Sequence, residues 1–559
     1  MKGQFKKVVA VILSCVLCFS VVGCSKNSGK DDTVDSSEGK GNVSANDSNQ
    51  ATDDNPYKEH MKISIALWNI GDAITDPSKD AVLKILEDKF NIEIEAYPVT
   101  WGDYTEKIKL WAASNSLPDM TAFEAGYTTV FDDWTEQGIV RALPSDVDQY
   151  PNVKKLLDSE YGQSINKVTA DTENPAYYGI PRPTYQDATY TMLDYGVAIR
   201  KDWMNNVGVT TVPDNLDDLI SLLKKFQTED PDGNGKNDTI GLTGYNFAWM
   251  STLFTGTCPA GINGFRWVYA EDGSLQPVWM SEEFLNGVKA LKKIYDAGVM
   301  DPDYIIIKGE EGRDKFQNGK AGAYAHSGPE LAALKIFEQN FEKSMPDKKL
   351  SDIIEFLPLF ANDKGEITYP QANSCWSETY LSSKVSDAKA ERCLALMDFL
   401  LSEEGNRLLT LGMEGTDYTM DGDGNVTLID TKKEDGSIKS IAEKYPVSGL
   451  ATLANWSSFR NSSNPSFSDE IKKMNTDYYN NQIARGAVAT RLPNGNGIVL
   501  KDTAAYDVAG QDFMKYINDL MTAEDIDTAW QNMVNTLLKA GYDKVIKEEN
   551  DLYKAAGRN

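Results

Sequence analysis

Histidine is almost absent from this chain: His60 and His326 are the only two in 559 residues. There is no H-E-x-x-H metalloprotease helix, no P-loop and no G-x-S-x-G nucleophile elbow, so those hydrolase and nucleotide-binding classes are set aside. Cysteine is scarce too. Of six, Cys15 and Cys18 fall in an N-terminal apolar run and Cys24 closes it, which leaves Cys258, Cys375 and Cys393. An odd trio is no disulfide framework. Cys375 has no base at hand, since only a chance approach of His326 could supply one, and it reads as a free buried thiol. Positive charge is in deficit, with 56 Lys and Arg against 84 Asp and Glu for a net charge of −28. Nucleic acid and other polyanions are therefore poor partners.

What is present begins with Lys2, Lys6 and Lys7 ahead of an uncharged run from Val8 to Val22. The run falls short of the roughly 20 residues a spanning helix needs and has the form of a signal peptide, residues 1–23. It ends in Val21-Val22-Gly23-Cys24, which resembles a bacterial lipobox and makes Cys24 the expected lipidated N-terminus. Loss of the three lysines takes the charge to −31. From Ser25 to about Pro56 the chain is Ser, Asn, Asp, Gly and Lys with few apolar residues, too polar to fold alone. Residues 24–60 are thus expected to form a tether reaching roughly 30 Å from the membrane.

The folded body is expected from Met61. KISIALWN (62–69), a helical pattern over 78–90 and the alternating NIEIEAYPV (91–99) make a β-α-β opening. Helices are expected over 215–226, 282–297, 388–401, 506–520 and 523–540. The class is α/β, rich in helix.

Asp230, Asp232, Asn234, Gly235, Lys236 and Asp238 follow the spacing of a calcium loop within 230–241. Asp230, Asp232, Asn234 and Asp238 supply side-chain oxygens and Lys236 its carbonyl. The terminal carboxylate is missing, so water or Thr239 must complete the set. The alternative is a plain Asp/Gly turn. Asp421-Gly422-Asp423-Gly424-Asn425, flanked by β-prone segments, reads as a hairpin.

YYGIPRP (177–183), IRKDWMNNVGV (199–209), DPDGNGKNDTIG (230–241), FQNGKAGAYAHSG (316–328) and GMEGTDY (412–418), in that order, resemble the family 1 extracellular solute-binding proteins. The resemblance covers nearly all of 61–556. It implies a two-lobed periplasmic-binding-protein-like fold with three chain crossings and a ligand held between the lobes. Crossings are expected near 183–192, 324–329 and 374–383. Lobe 1 is then 61–184 with 328–374, and lobe 2 is 185–327 with 375–559. The implied function is capture of an oligosaccharide by a monomeric protein, anchored by lipid outside the cell, for delivery to an ABC permease. Alginate-binding relatives use a similar acidic loop structurally.

Sugar faces stack on aromatic rings, and ligands of open α/β lobes meet the carboxyl ends of strands. That favours Trp68, Trp101 and Glu124, each just after a predicted strand. His326, Tyr185, Asp187 and Trp376 lie at predicted crossings, and Trp456 is a candidate in lobe 2. Hinge or core packing is the competing role for each ring. The net charge favours a neutral sugar, while Arg182 and Lys201 are the pair that could hold a uronate. Two other functions remain open from sequence: a hydrolase using paired carboxylates, or a surface adhesion lipoprotein.

Overall fold

The computed structural model describes residues 56–126, 130–166, 176–184, 192–245, 247, 258, 261, 266–307, 309–326, 328–371, 375–422, 424–429, 440–456, 467–490, 492–493, 513–555 and 557. The signal peptide, Cys24 and most of the tether lie outside them. Among the described residues no helix is long and apolar enough to cross a membrane.

The opening folds as β-α-β. Met61–Trp68 pairs in parallel with Ile92–Val99, from Met61 opposite Ile92 to Trp68 opposite Val99. The helix Ala81–Phe90 links them, buries Val82, Leu83, Leu86 and Phe90, and starts on the side chain of Asp80, which accepts from the Val82 and Leu83 N–H groups. The other Asp80 oxygen takes the Val447 N–H at 2.9 Å, tying the helix start to a segment far along the chain. The sheet order is Ile92–Val99, Met61–Trp68, Met120–Phe123, Cys375–Leu381, Gly179–Pro183. Cys375–Leu381 is antiparallel to both neighbours. The folded body starts earlier than Met61: Tyr57 lies over the Arg392 guanidinium at 4.1 Å and packs on Phe90.

A second sheet has the order Ile354–Phe356, Gly196–Arg200, Ala321–His326, Ile240–Gly244. Helices Leu216–Thr228, Glu282–Asp296, Leu331–Ser344, Asp469–Ala484 and Phe513–Thr522 cover it with its own apolar cores. Gly322 in the central strand has no room for a side chain: a Cβ would lie 2.1 Å from the Phe226 ring, so glycine is what lets helix Leu216–Thr228 lie flat on the sheet. The helices expected at 215–226, 282–297 and 388–401 are present as Leu216–Thr228, Glu282–Asp296 and Asp387–Leu401. The helix expected at 523–540 is present as Ile526–Leu537, and a further helix, Asp543–Ala555, follows a kink at Gly541, where φ is 108°.

The chain passes between the sheets where Pro183 leaves the first and Gly196 enters the second, between 371 and 375, and between 456 and 467. The expected passage at 324–329 is not one, because Ala321–His326 is followed by helix Leu331–Ser344 on the same sheet, whose edge strand is Ile354–Phe356. Residues 328–371 therefore belong with the second sheet, and 375–456 with the first, the reverse of the boundaries read from sequence. The passage between 456 and 467 carried no signal strong enough to be placed.

Candidate ligand-binding site

The four tryptophans singled out in the sequence meet at the carboxyl end of the first sheet. Trp68 ends its strand, and Asn69, with φ 57°, turns the chain into a short helix, leaving the indole at the strand end. Because Trp68 pairs with Val99, Trp101 two residues further on lands beside it: the rings stack with centroids 5.0 Å apart and planes 21° apart. Trp376 lies 5.4 Å from Trp68 and 5.8 Å from Trp101. Trp456 lies 6.0 Å from each of those two and 5.9 Å from Trp376. Tyr104 completes the group 5.1 Å from Trp68. Trp68 is 5 % exposed whereas Trp101 is 43 % exposed, so the set has a wet rim and a dry floor.

Trp376 owes its place to a bulge. Cys375 pairs with Pro183 but Glu378 with Pro181, one residue more on one strand than on the other, and Ser377 has φ 69°. Such a bulge bends the strand and re-aims the side chains it carries.

Arg182, from the GIPRP strand, is fully buried beneath the rings. Its guanidinium carbon is 5.1 Å from the Trp68 ring centre and 5.0 Å from that of Trp456, a geometry in which the cation is attracted to both faces. Nε donates to the Thr452 carbonyl at 2.9 Å, Nη2 donates to the same oxygen, and Nη1 donates to Ser377 Oγ at 2.7 Å. Burial pulls its pKa down to about 9 against the opposing pull of Glu378 and Glu124, so it is a cation at neutral pH. Glu378, also fully buried, accepts from Tyr161 Oη at 2.6 Å, Tyr380 Oη at 2.8 Å and the Gly126 N–H at 3.1 Å. Burial raises its pKa and these three donors oppose that. The nearby Glu124 carboxyl adds to the upward push. A Cβ on Gly126 would lie 2.8 Å from Glu378 Oε1, so that approach needs glycine.

Glu124 takes the Tyr104 hydroxyl on Oε1 at 2.6 Å, while Oε2 is buried without a partner. Burial raises its pKa; Tyr104, Arg182 and Lys109 work the other way. The indole N–H groups of Trp68 and Trp456 and the Thr184 hydroxyl are likewise buried and unpaired. Four unpaired polar atoms carried by separate elements around the first sheet are a costly arrangement for a closed core and a natural one for a face that takes a polar ligand.

The other sequence candidates lie elsewhere. His326 ends a strand of the second sheet, stacked 4.5 Å from Tyr245. Burial, and then Arg313, hold its pKa down to about 4, so the imidazole is neutral. Tyr185 and Asp187 fall outside the described residues. Arg182 and Lys201 do not form a pair: Lys201 reaches Glu355 and the Ser351 carbonyl beside the second sheet. Sequence reasoning missed Tyr104, Glu378 and the role of Arg182. An arginine and a glutamate inside otherwise apolar strands were the available signal. Cys258, Cys375 and Cys393 are buried and form no disulfide, and burial raises the thiol pKa of Cys258 to about 12.

In the acidic loop, Asp230 has φ 47°, Gly233 70° and Gly235 79°, a tight curl. The Asn234 side-chain nitrogen donates to Asp232 at 2.8 Å and Asp238 at 3.0 Å, and Asp230 accepts from the Asn234 and Gly235 N–H groups. Among the described residues no group of three or more His, Cys, Asp and Glu is arranged as a metal site. The donor chemistry, three carboxylates and an amide oxygen on one curl, nonetheless fits a hard cation. Thr239 is not part of it, because its hydroxyl donates to the Phe226 carbonyl and is buried. Asp421–Asn425 closes a hairpin between Tyr418–Met420 and Val426–Leu428, as expected.

Solved structures share this two-lobed architecture. The fructooligosaccharide-transport substrate-binding protein FusA of Streptococcus pneumoniae, in complex with kestose, superposes over 89 % of this chain and 99 % of its own with a TM-score of 0.62 at 18 % identity. The alginate-binding protein AlgQ2, solved without calcium ion, gives 0.64 over 89 % and 98 % at 17 % identity. The fold is that of a two-lobed solute-binding protein. The chain belongs to the bacterial extracellular solute-binding protein family, whose profile matches residues 81–414. Among curated relatives, the polygalacturonan/rhamnogalacturonan-binding protein YtcQ of Bacillus subtilis is 26 % identical over 374 residues, 64 % of this chain and 68 % of its own length. Lipoprotein LipO of the same organism is 25 % identical over 356 residues, 61 % and 64 %. The matched stretch thus spans about two thirds of each.

Proposed function

We propose that this chain is the lipid-anchored receptor of an ABC importer, capturing an oligosaccharide on the tryptophan-lined end of the first sheet and presenting it to a permease. The observation that carries this reading is the convergence of Trp68, Trp101, Trp376 and Trp456 within 6.0 Å of one another, with the Trp68 and Trp456 N–H groups unpaired. Pyranose and furanose rings offer C–H faces to stack on indoles and hydroxyls to accept such N–H groups. The second lobe, with Tyr245 and His326 at its strand ends, closes over the bound sugar, and the three passages between the sheets serve as the hinge.

Binding rather than catalysis is the role, in keeping with relatives and structural neighbours that are substrate-binding proteins. The acidic loop holds one calcium ion through Asp230, Asp232, Asn234, Asp238 and the Lys236 carbonyl, as a structural staple. The protein acts as a monomer outside the cell, held by lipid on Cys24. Substitution Cys24→Ala is expected to move it from the detergent phase to the aqueous phase or leave it unprocessed, and unchanged partitioning would remove the anchor.

A calorimetric and thermal-shift screen against neutral and acidic oligosaccharides tests the main reading. At a hundred times its Kd a true ligand adds about 2.7 kcal/mol to stability. Absence of binding throughout the screen, or release of new reducing ends from any member, refutes it.

A further inference from the structure

We propose that the tryptophan-lined face selects a neutral oligosaccharide, with Glu124 accepting sugar hydroxyl hydrogens and repelling a uronate. This rests on the reading of that face as a sugar seat and names the class of sugar it takes.

The argument starts from what the unpaired atoms need. Glu124 Oε2 is buried and unpaired while Oε1 holds the Tyr104 hydroxyl, and as a carboxylate, the form that Tyr104, Arg182 and Lys109 favour against burial, it can only accept. The Trp68 and Trp456 indole N–H groups can only donate. A hydroxyl satisfies both kinds at once, donating to the carboxylate while accepting from an indole. A ligand carboxylate could serve the two N–H groups but has no hydrogen for Glu124, and it would bring like charge towards it.

The nearest cation offers no relief. All three Arg182 nitrogens are engaged by the Thr452 carbonyl and Ser377 Oγ, and the Trp68 and Trp456 rings lie against its guanidinium. Its single positive charge already faces two carboxylates, Glu378 and Glu124, whose fields both act on it. It has no positive charge to spare for a ligand acid. Lys109, which also acts on Glu124, is exposed and screened by water and salt. Lys201 is bound to Glu355 beside the other sheet. Arg182 is thus a scaffold for the rings, and not a hand held out to an acid.

The experiment uses the full chain and calorimetric titration. Its ligands are neutral tetrasaccharides of glucose, xylose, mannose, galactose and fructose, together with tetragalacturonate and its methyl ester, which share a backbone and differ in charge. We expect the tightest ligand to be neutral, and tetragalacturonate to bind at least tenfold more weakly than its ester or not at all. In Glu124→Gln, which keeps the shape and the Tyr104 contact, the tightest neutral ligand should lose about tenfold to a hundredfold in affinity. The gap between acid and ester should narrow at the same time. Thermal midpoint and near-ultraviolet circular dichroism like those of the parent show that the variant is folded. Should it fail that check, Glu124→Asp, which keeps the charge and withdraws the oxygen, replaces it and must lose neutral-ligand affinity while still disfavouring the acid. Tetragalacturonate binding as tightly as its ester or more so overturns the inference and leaves the sugar seat standing. So does a neutral ligand whose affinity is unchanged in the variant. If no sugar of either class binds, the sugar seat itself falls, and the inference with it.

Discussion

Around Trp68 the polar groups are few and buried; around Asp230 they are many and exposed. Arg182 and Glu378 have no contact with water, and they are held by hydrogen bonds to Thr452, Ser377, Tyr161, Tyr380 and Gly126. In the acidic loop Asp230, Asp232 and Asp238 crowd on one curl at the surface, held apart by N–H donors from their own turn. The same chemistry, carboxylates near one another, meets a low dielectric in one place and water in the other. Buried charge must be satisfied by the fold itself, whereas exposed charge can wait for an ion. The first arrangement should be intolerant of change in the empty protein. The second should reveal itself only when the ionic composition of the solution changes.

The largest effect is expected from Glu378→Ala, which strips three hydrogen bonds and removes one of the two carboxyls facing the buried Arg182: about 3–5 kcal/mol of stability lost, read by urea unfolding. A loss below 1 kcal/mol would show that the two regions do not differ as described. His326 extends the contrast to acid. Its folded pKa of about 4 lies below the usual 6.5, so the unfolded chain takes up a proton that the folded one refuses. Stability is whole above pH 6.5 and falls as pH drops from there towards 4, by roughly 3 kcal/mol in all. Comparing the acid limb of the parent with that of His326→Phe isolates this part, and identical limbs would exclude it.

Calcium comes next: at a hundred times its Kd it should add about 2.7 kcal/mol, removable by chelator and absent in Asp232→Ala. A melting temperature indifferent to chelator would make the loop a plain turn. For Trp376→Ala the effect is in affinity, about 1–3 kcal/mol, with the empty protein little changed. The reverse pattern, lost stability with affinity kept, assigns the ring to packing alone.

The aromatic part of the site was legible because position along a strand is a local property. Trp68 and Trp101 each follow a segment whose alternation marks it as a strand, and the parallel pairing of those segments follows from β-α-β order. Which strand lies between Met120–Phe123 and Gly179–Pro183 was not legible. Cys375–Leu381 inserts there from far along the chain, and nothing in its own pattern names its neighbours. That one insertion explains the exchanged lobe boundaries and the missed hydrogen bond from Arg182 to Ser377. The passage expected after AGAYAH failed for a related reason: His326-Ser327-Gly328-Pro329 reads as a break, and the helix beyond it folds back on the sheet it left.

The insertion also sets a timetable. During synthesis the strands at Met120–Phe123 and Gly179–Pro183 exist long before the strand that joins them, which begins 192 positions after Pro183. At about 5–20 residues per second that interval is roughly 10–40 s. Until it ends, two bare strand edges stand open, a state that invites wrong pairing between nascent chains. When Cys375–Leu381 does arrive, it delivers Trp376 and Glu378 together, so the stacking surface and the counter-charge beneath it gain these two members in one event.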